Sequence, residues 1–195
     1  MSRFVEKILK EAKFKWADEL VKFADQDWFI HFSNSIKFSQ LKTAKKLAYL
    51  APEGFYGFPL TTSVIKDLLK KDGKDYKEWL QRKNVFLFKI RTDGMLDSNK
   101  YTKRNLILDL KKIFGEEKFK KIKPINYSYD KPYWGLVFCL SHFKINTRDA
   151  LLKLGYNSIY DEKFFTITHD LKGQLVVLNT KVIVKMKKLV NPFNR

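Results

Sequence analysis

Cysteine is nearly missing from this 195-residue chain: Cys139 stands alone, inside the apolar run "LVFCLSHF". One cysteine excludes a disulfide framework and a cysteine-based metal centre, and it fits a reducing, cytosolic setting. In an apolar run it reads as a packed residue rather than a nucleophile. Glycine and proline are scarce too, at 8 and 5, and neither G-x-G-x-x-G nor G-x-x-x-x-G-K-[ST] occurs. The three histidines, His31, His142 and His169, lack zinc-ligand spacing, and H-E-x-x-H and G-x-S-x-G are both absent. These absences remove most hydrolase and kinase readings. No run reaches the length of a membrane span, and the N-terminus lacks the apolar core of a signal peptide. Acidic residues are the last shortage: 21 Asp and Glu face 39 Lys and Arg, a net charge of +18.

Hydrophobic residues make up 45% of the chain, with 17 Phe, 9 Tyr and 4 Trp. Such a composition buries enough apolar surface to offset chain entropy, so a folded domain is expected. The positive charge predicts attraction to polyanions. Lysine prevails over arginine, which points to diffuse electrostatics rather than bidentate base readout. The expected organisation is an N-terminal amphipathic helix over residues 1–26 and a single domain over 27–195.

Apolar residues at Phe4, Val5, Ile8, Leu9, Ala12, Trp16, Leu20 and Phe23 form one helical stripe. "DWFIHFS" reads as a buried strand ending near His31, "KFSQLKTAKKLAYL" as a helix closed by Pro52, and "GFYGF" as a short strand. Pro59 is expected in the first turn of a helix over "PLTTSVIKDLLKK", and "YKEWLQRK" adds a helical turn or two. "NVFLFKIR" alternates as a strand, with Val85, Leu87 and Lys89 on one face and Phe86, Phe88 and Ile90 on the other. "TDGMLDSN" reads as a turn, and "YTKRNLILDLKKIFG" as a helix stopped by Gly115. "EEKFKKIKPINYSYDKPY" is the most loop-like and basic stretch. "WGLVFCLSHF" fits a helix or a buried strand equally, and "NTRDALLKLG" a capped helix. "YNSIYDE", "KFFTITHD" and "GQLVVLNTKVIVKM" supply two or three strands. The fold class is therefore α+β, with strands from both ends of the chain. A sheet would make the His31 and Gln174 strands neighbours.

Three motifs stand out in order: "WFIHFSN", with His31 and Ser33 on one face; "PEGFYGFP", with Tyr56; and "GQLVVLNTKVIV", opened by Gln174. Singly, each has a plainer explanation as core or turn. Together they resemble the ADP-ribosyltransferase family of the diphtheria-toxin and poly(ADP-ribose)-polymerase type. There a strand ends in His-Gly-Ser or His-Gly-Thr, a Gly-Ile-Tyr-Phe-like strand follows, and a late strand carries a catalytic Glu. "KLGYNSIYDE" and "QLVVLN" further resemble a phage and mobile-element branch of that family. The resemblance spans residues 28–184 and is specific at its two ends.

The resemblance implies an ADP-ribosyltransferase-like split, mixed or antiparallel sheet with helical insertions, and NAD as substrate without a metal. His31 would bond a ribose hydroxyl, and Ser33 and the Phe32 backbone would hold the carboxamide. Gly54 would line the pocket, Tyr56 would stack on the nicotinamide, and Gln174 would take the Glu position. His31, Tyr56 and Gln174 are the implied catalytic set. Phe32 departs from the family's Gly, Asn157 from the branch's Asp, and Gln174 from the Glu. Asp161, Glu162 or Asp170 would be an acidic stand-in. The expected activity is mono-ADP-ribosylation of a host macromolecule by a phage-encoded protein in the host cytoplasm, with no membrane partner. The alternative is an inactive fold serving as a basic nucleic-acid-binding or virion protein. Its contact surface, or that for an acidic host protein, would be Lys111, Lys112, Lys118, Lys120, Lys121 and Lys123, near Tyr127 and Tyr129.

Overall fold

A computed structural model describes residues 19–34, 37, 53–69, 82–122, 132–161 and 173–190. The expectations for residues 1–18, for the helix over 38–50, for "YKEWLQRK" up to residue 81 and for "KFFTITHD" lie outside the described residues, as do Lys123, Tyr127, Tyr129, Glu162, His169 and Asp170.

The chain is α+β. Seven strands, β1 (Phe29–Ser33), β2 (Phe55–Pro59), β3 (Asn84–Ile90), β4 (Met95–Asp97), β5 (Ser158–Asp161), β6 (Gln174–Val177) and β7 (Ile183–Val190), form one sheet. Their order is β4-β5-β6-β2-β1-β3-β7. Only β4 and β5 run parallel; every other pair is antiparallel. Five helices with both ends among the described residues accompany the sheet: α1 (Thr62–Leu69), α2 (Lys103–Phe114), α3 (Glu116–Lys121), α4 (Pro132–His142) and α5 (Thr147–Lys153). No helix among the described residues is long and apolar enough to cross a membrane.

Side-chain alternation gives the sheet two faces. On one, Ile30, Phe32, Phe58, Val85 and Leu87 pack against Leu20 and Ala24 from the N-terminal turn and Val64 and Ile65 of α1. The same face continues through Tyr56, Ile159 and Val176 to Leu106, Leu110, Leu136, Leu140 and Leu151 of the other helices. On the second face Phe55, Phe88, Leu175 and Val177 meet Val182, with Phe29, Ile90, Met95, Tyr160 and Ile183 alongside. Met95 and Ile183 come from opposite margins of the strand order, so the sheet curls with this second face inside.

Local chemistry accounts for most boundaries. Thr102 caps α2 by accepting from the Asn105 N–H, and the Asn105 side chain returns the bond to the Thr102 backbone. Gly115 ends that helix, and Asn146 caps α5 through the Asp149 N–H. The face assignment of β3 agrees with its pairing, Val85 and Leu87 lying with the first core and Phe88 with the inner face. "WGLVFCLSHF" is helical, and Cys139 is buried within it.

Four expectations change. Pro59 closes β2 opposite Phe29 rather than opening a helix; α1 begins at Thr62, with the Thr61 hydroxyl accepting from the Val64 N–H. The N-terminal helix ends at Val21, and turns fill residues 22–27. "TDGMLDSN" contains β4, a three-residue strand that exists only through its pairing with β5. "EEKFKK" is the short helix α3 rather than loop, with Glu116 and Glu117 in its first turn and lysines in its last, matching the helix dipole.

Candidate functional site around His31

β1 and β2 pair only at Phe29–Pro59 and Ile30–Phe58. Just past those pairs the His31 side chain takes over: its Nδ1–H donates to the Tyr56 carbonyl at 2.6 Å. This bond fixes the tautomer, because a nitrogen that donates to a carbonyl must carry the proton. Nε2 is then left with a lone pair to accept a hydrogen bond. The ring lies 4.4 Å from that of Phe55. Burial is the main cause that brings the His31 pKa down to about 4; the carbonyl bond opposes it and the Arg82 charge adds to it. At neutral pH the imidazole is therefore an uncharged acceptor on the inner, curled face.

Ser33 shares that face with His31 and is buried opposite Asn84 of β3. Phe32 points the other way, into the core with Phe58 and Val64, so its bulk does not crowd His31. The glycines of "PEGFYGFP" serve the sheet. A methyl group at Gly54 would lie 2.5 Å from Val176 Cγ1, and one at Gly57 would lie 2.5 Å from Phe88 Cζ. Gly54 lets β6 close on β2, and Gly57 makes room for the Phe88 ring of β3, beyond β1.

Tyr56 and Gln174 sit on the helix-covered face. Tyr56 stands opposite Val176, and Gln174 opposite Asp161, in the two ladders flanking β6. Tyr56, Asp161 and Gln174 are 8%, 2% and 7% exposed. The Gln174 Oε1 has no hydrogen-bond partner among the described residues. Above them lies Tyr133 of α4, whose pKa is pushed up first by burial and then by electrostatic coupling to the nearby Tyr56 and Asp161. Burial alone raises Tyr56. The strands of the three motifs are thus adjacent, β6-β2-β1, but β2 separates the His31 strand from the Gln174 strand. Tyr56 joins His31 through its carbonyl, and its ring belongs to the core.

Sequence reasoning passed over Phe55 and Arg82 beside His31, and Tyr133 over the Asp161–Gln174 pair. The alternation of "GFYGF" carried the signal for Phe55; nothing local ties Arg82 or Tyr133 to these strands. Asn157 proves to be a loop organiser. Its N–H donates to the Gly94 carbonyl, its own carbonyl accepts from Leu178 and Asn179, and its side-chain oxygen accepts from the Asn179 amide.

The basic candidates lie on α2 and α3. Lys111 pairs with Glu116 and Lys120 with Glu117, each at 3.0 Å. Lys118 lies over the Phe114 and Phe143 rings. Lys112 and Lys121 are exposed. No group of three or more His, Cys, Asp or Glu among the described residues is arranged to hold a metal ion. Comparison with protein-family models, curated proteins and solved structures finds no match.

Proposed function

We propose that this chain is an NAD-dependent mono-ADP-ribosyltransferase, encoded by a phage or mobile element and acting on a host macromolecule. The observation that supports this reading is the side-by-side arrangement of β6, β2 and β1, with His31 locked by the Tyr56 carbonyl and its Nε2 left as acceptor. In the reaction the bond between ribose C1′ and the nicotinamide nitrogen breaks, and its electron pair leaves with neutral nicotinamide. An acceptor lone pair forms the new bond to C1′, and the acceptor's proton passes to solvent. His31 Nε2 holds a ribose hydroxyl, and Arg82 supplies positive charge toward the pyrophosphate.

Positive charge develops on the ribose in that step, and a carboxylate aimed at it would stabilise the transition state. Gln174 has no charge and faces away from His31. The absence of one such charged contact is worth about 2–4 kcal/mol, so turnover is slow and chain elongation is not expected. The test is transfer of labelled ADP-ribose from NAD in a bacterial lysate and with purified protein alone. Label on a discrete macromolecule that disappears with His31→Ala supports a transferase. No label together with no NAD binding removes the enzyme reading.

The second reading, a basic nucleic-acid-binding or virion protein on an inactive fold, is favoured by one feature: exposed lysines at Lys112, Lys118, Lys120 and Lys121 on consecutive helices. It requires a steep loss of oligonucleotide affinity with salt, without NAD binding.

A further inference from the structure

α2 buries Leu106, Asp109 and Leu110 and turns its opposite side to solvent. On that outer side Arg104, Ile107, Leu108 and Lys111 follow one another at helical spacing, i, i+3, i+4, i+7. Ile107 and Leu108 are each 46% exposed, and the only other exposed large hydrophobics among the described residues are Val184 and Met186 on β7. Lys103, Arg104 and Lys112 surround the apolar pair and have no ion-pair partner among the described residues; Lys111 alone is engaged, by Glu116. No acidic side chain faces outward on this helix, since its one carboxylate, Asp109, is buried and accepts the Tyr101 and Tyr156 hydroxyls at 2.7 and 2.9 Å.

We propose that the outer face of α2 is a docking surface for an acidic amphipathic helix of a partner protein. An apolar centre with a basic rim is complementary to a leucine stripe flanked by glutamates, where the apolar pair supplies burial and the rim supplies register and rate. Two other occupants fit less well. A nucleic acid gains nothing from two aliphatic side chains at the centre of the patch, because bases stack on aromatic rings and phosphates need only the cations. A second copy of this chain would bring like charge to like charge, at +18 each. The surface does not rest on the transferase reading, and its occupant is equally able to be an acceptor or a docking partner.

The test uses the full chain and a synthetic helical peptide of about 20 residues, long enough to form helix on binding, with leucines at i, i+3, i+4, i+7 and glutamates elsewhere. A scrambled peptide of identical composition and a single-stranded oligonucleotide of similar length serve as controls, all read by fluorescence anisotropy. The expected result is that the amphipathic peptide binds at least about tenfold more tightly than the scrambled one. Leu108→Ser and Ile107→Ser should each erase that preference, and Arg104→Glu should weaken binding further. These positions are exposed, so an unchanged circular-dichroism melt confirms that the variants are folded. Equal binding of the two peptides overturns the proposal. So does oligonucleotide binding tighter than peptide binding and indifferent to Leu108→Ser, which would assign the face to nucleic acid.

Discussion

His31 is the residue whose chemistry is most constrained. Its proton binds at about 4 in the folded chain against 6.5 for the free side chain. Between those values the unfolded chain holds the proton and the folded chain does not, so acidification favours unfolding. The His31 contribution to stability should be level above pH 6.5, fall as pH drops from 6.5 toward 4, and level off below that; the gap corresponds to about 3 kcal/mol. His31→Gln, which keeps a donor for the Tyr56 carbonyl but does not titrate, should remove this share of the loss in urea titrations at stepped pH. Gln174→Glu introduces the residue type that the proposed transferase reading would place on the late strand, yet it would bury a second carboxylate directly across from Asp161. The expected effect is destabilisation by about 3 kcal/mol rather than activation. An unchanged urea midpoint would show that the new carboxylate reaches solvent. Gly57→Ala should cost about 1–3 kcal/mol, since the Phe88 ring occupies the space a methyl would need.

At the scale of elements, α2 is held by its capping box and by the Asp109 bonds to Tyr101 and Tyr156. Asp109→Ala leaves the buried Tyr101 hydroxyl and the part-buried Tyr156 hydroxyl without their acceptor and should destabilise by about 2–3 kcal/mol, whereas Thr102→Ala should cost about 1 kcal/mol. Thermal melts of the two variants side by side check that ranking. The elements legible in the sequence were those with local causes. The alternation of "NVFLFKIR" gave both faces of β3, Gly115 marked a helix end and "NTRDALLKLG" a capped helix start, whereas the Thr102 capping box emerges only in the structure. β4 was illegible because three residues paired with a strand some sixty positions later leave no periodic signal. Pro59 was misread because its fixed backbone suits a strand end as well as a helix start.

For the whole molecule, the order β6-β2-β1 follows from pairings no stretch of sequence contains, and the curl decides which side chains meet. Alternation alone told that His31 and Ser33 share a face; it did not tell that Tyr56 and Gln174 face the helices, because that depends on register across β2. The charge distribution also belongs to this scale. Lys185, Lys187 and Lys188 lie on β7, the outer strand of the sheet, where lysines oppose edge-to-edge pairing. Lys187 in addition bonds Glu19 at 2.8 Å and lies over the Phe23 ring, tying the N-terminal turn to the sheet.

Calorimetric titration of NAD into the native chain, His31→Ala and Gln174→Ala is the most direct measurement. The expected result is saturable binding to the native chain, weakened up to about tenfold by His31→Ala, the range that loss of one hydrogen bond to a bound hydroxyl spans, and unchanged within about twofold in Gln174→Ala. Binding indifferent to His31→Ala, or no binding of NAD at millimolar concentration, would contradict an NAD site built on His31.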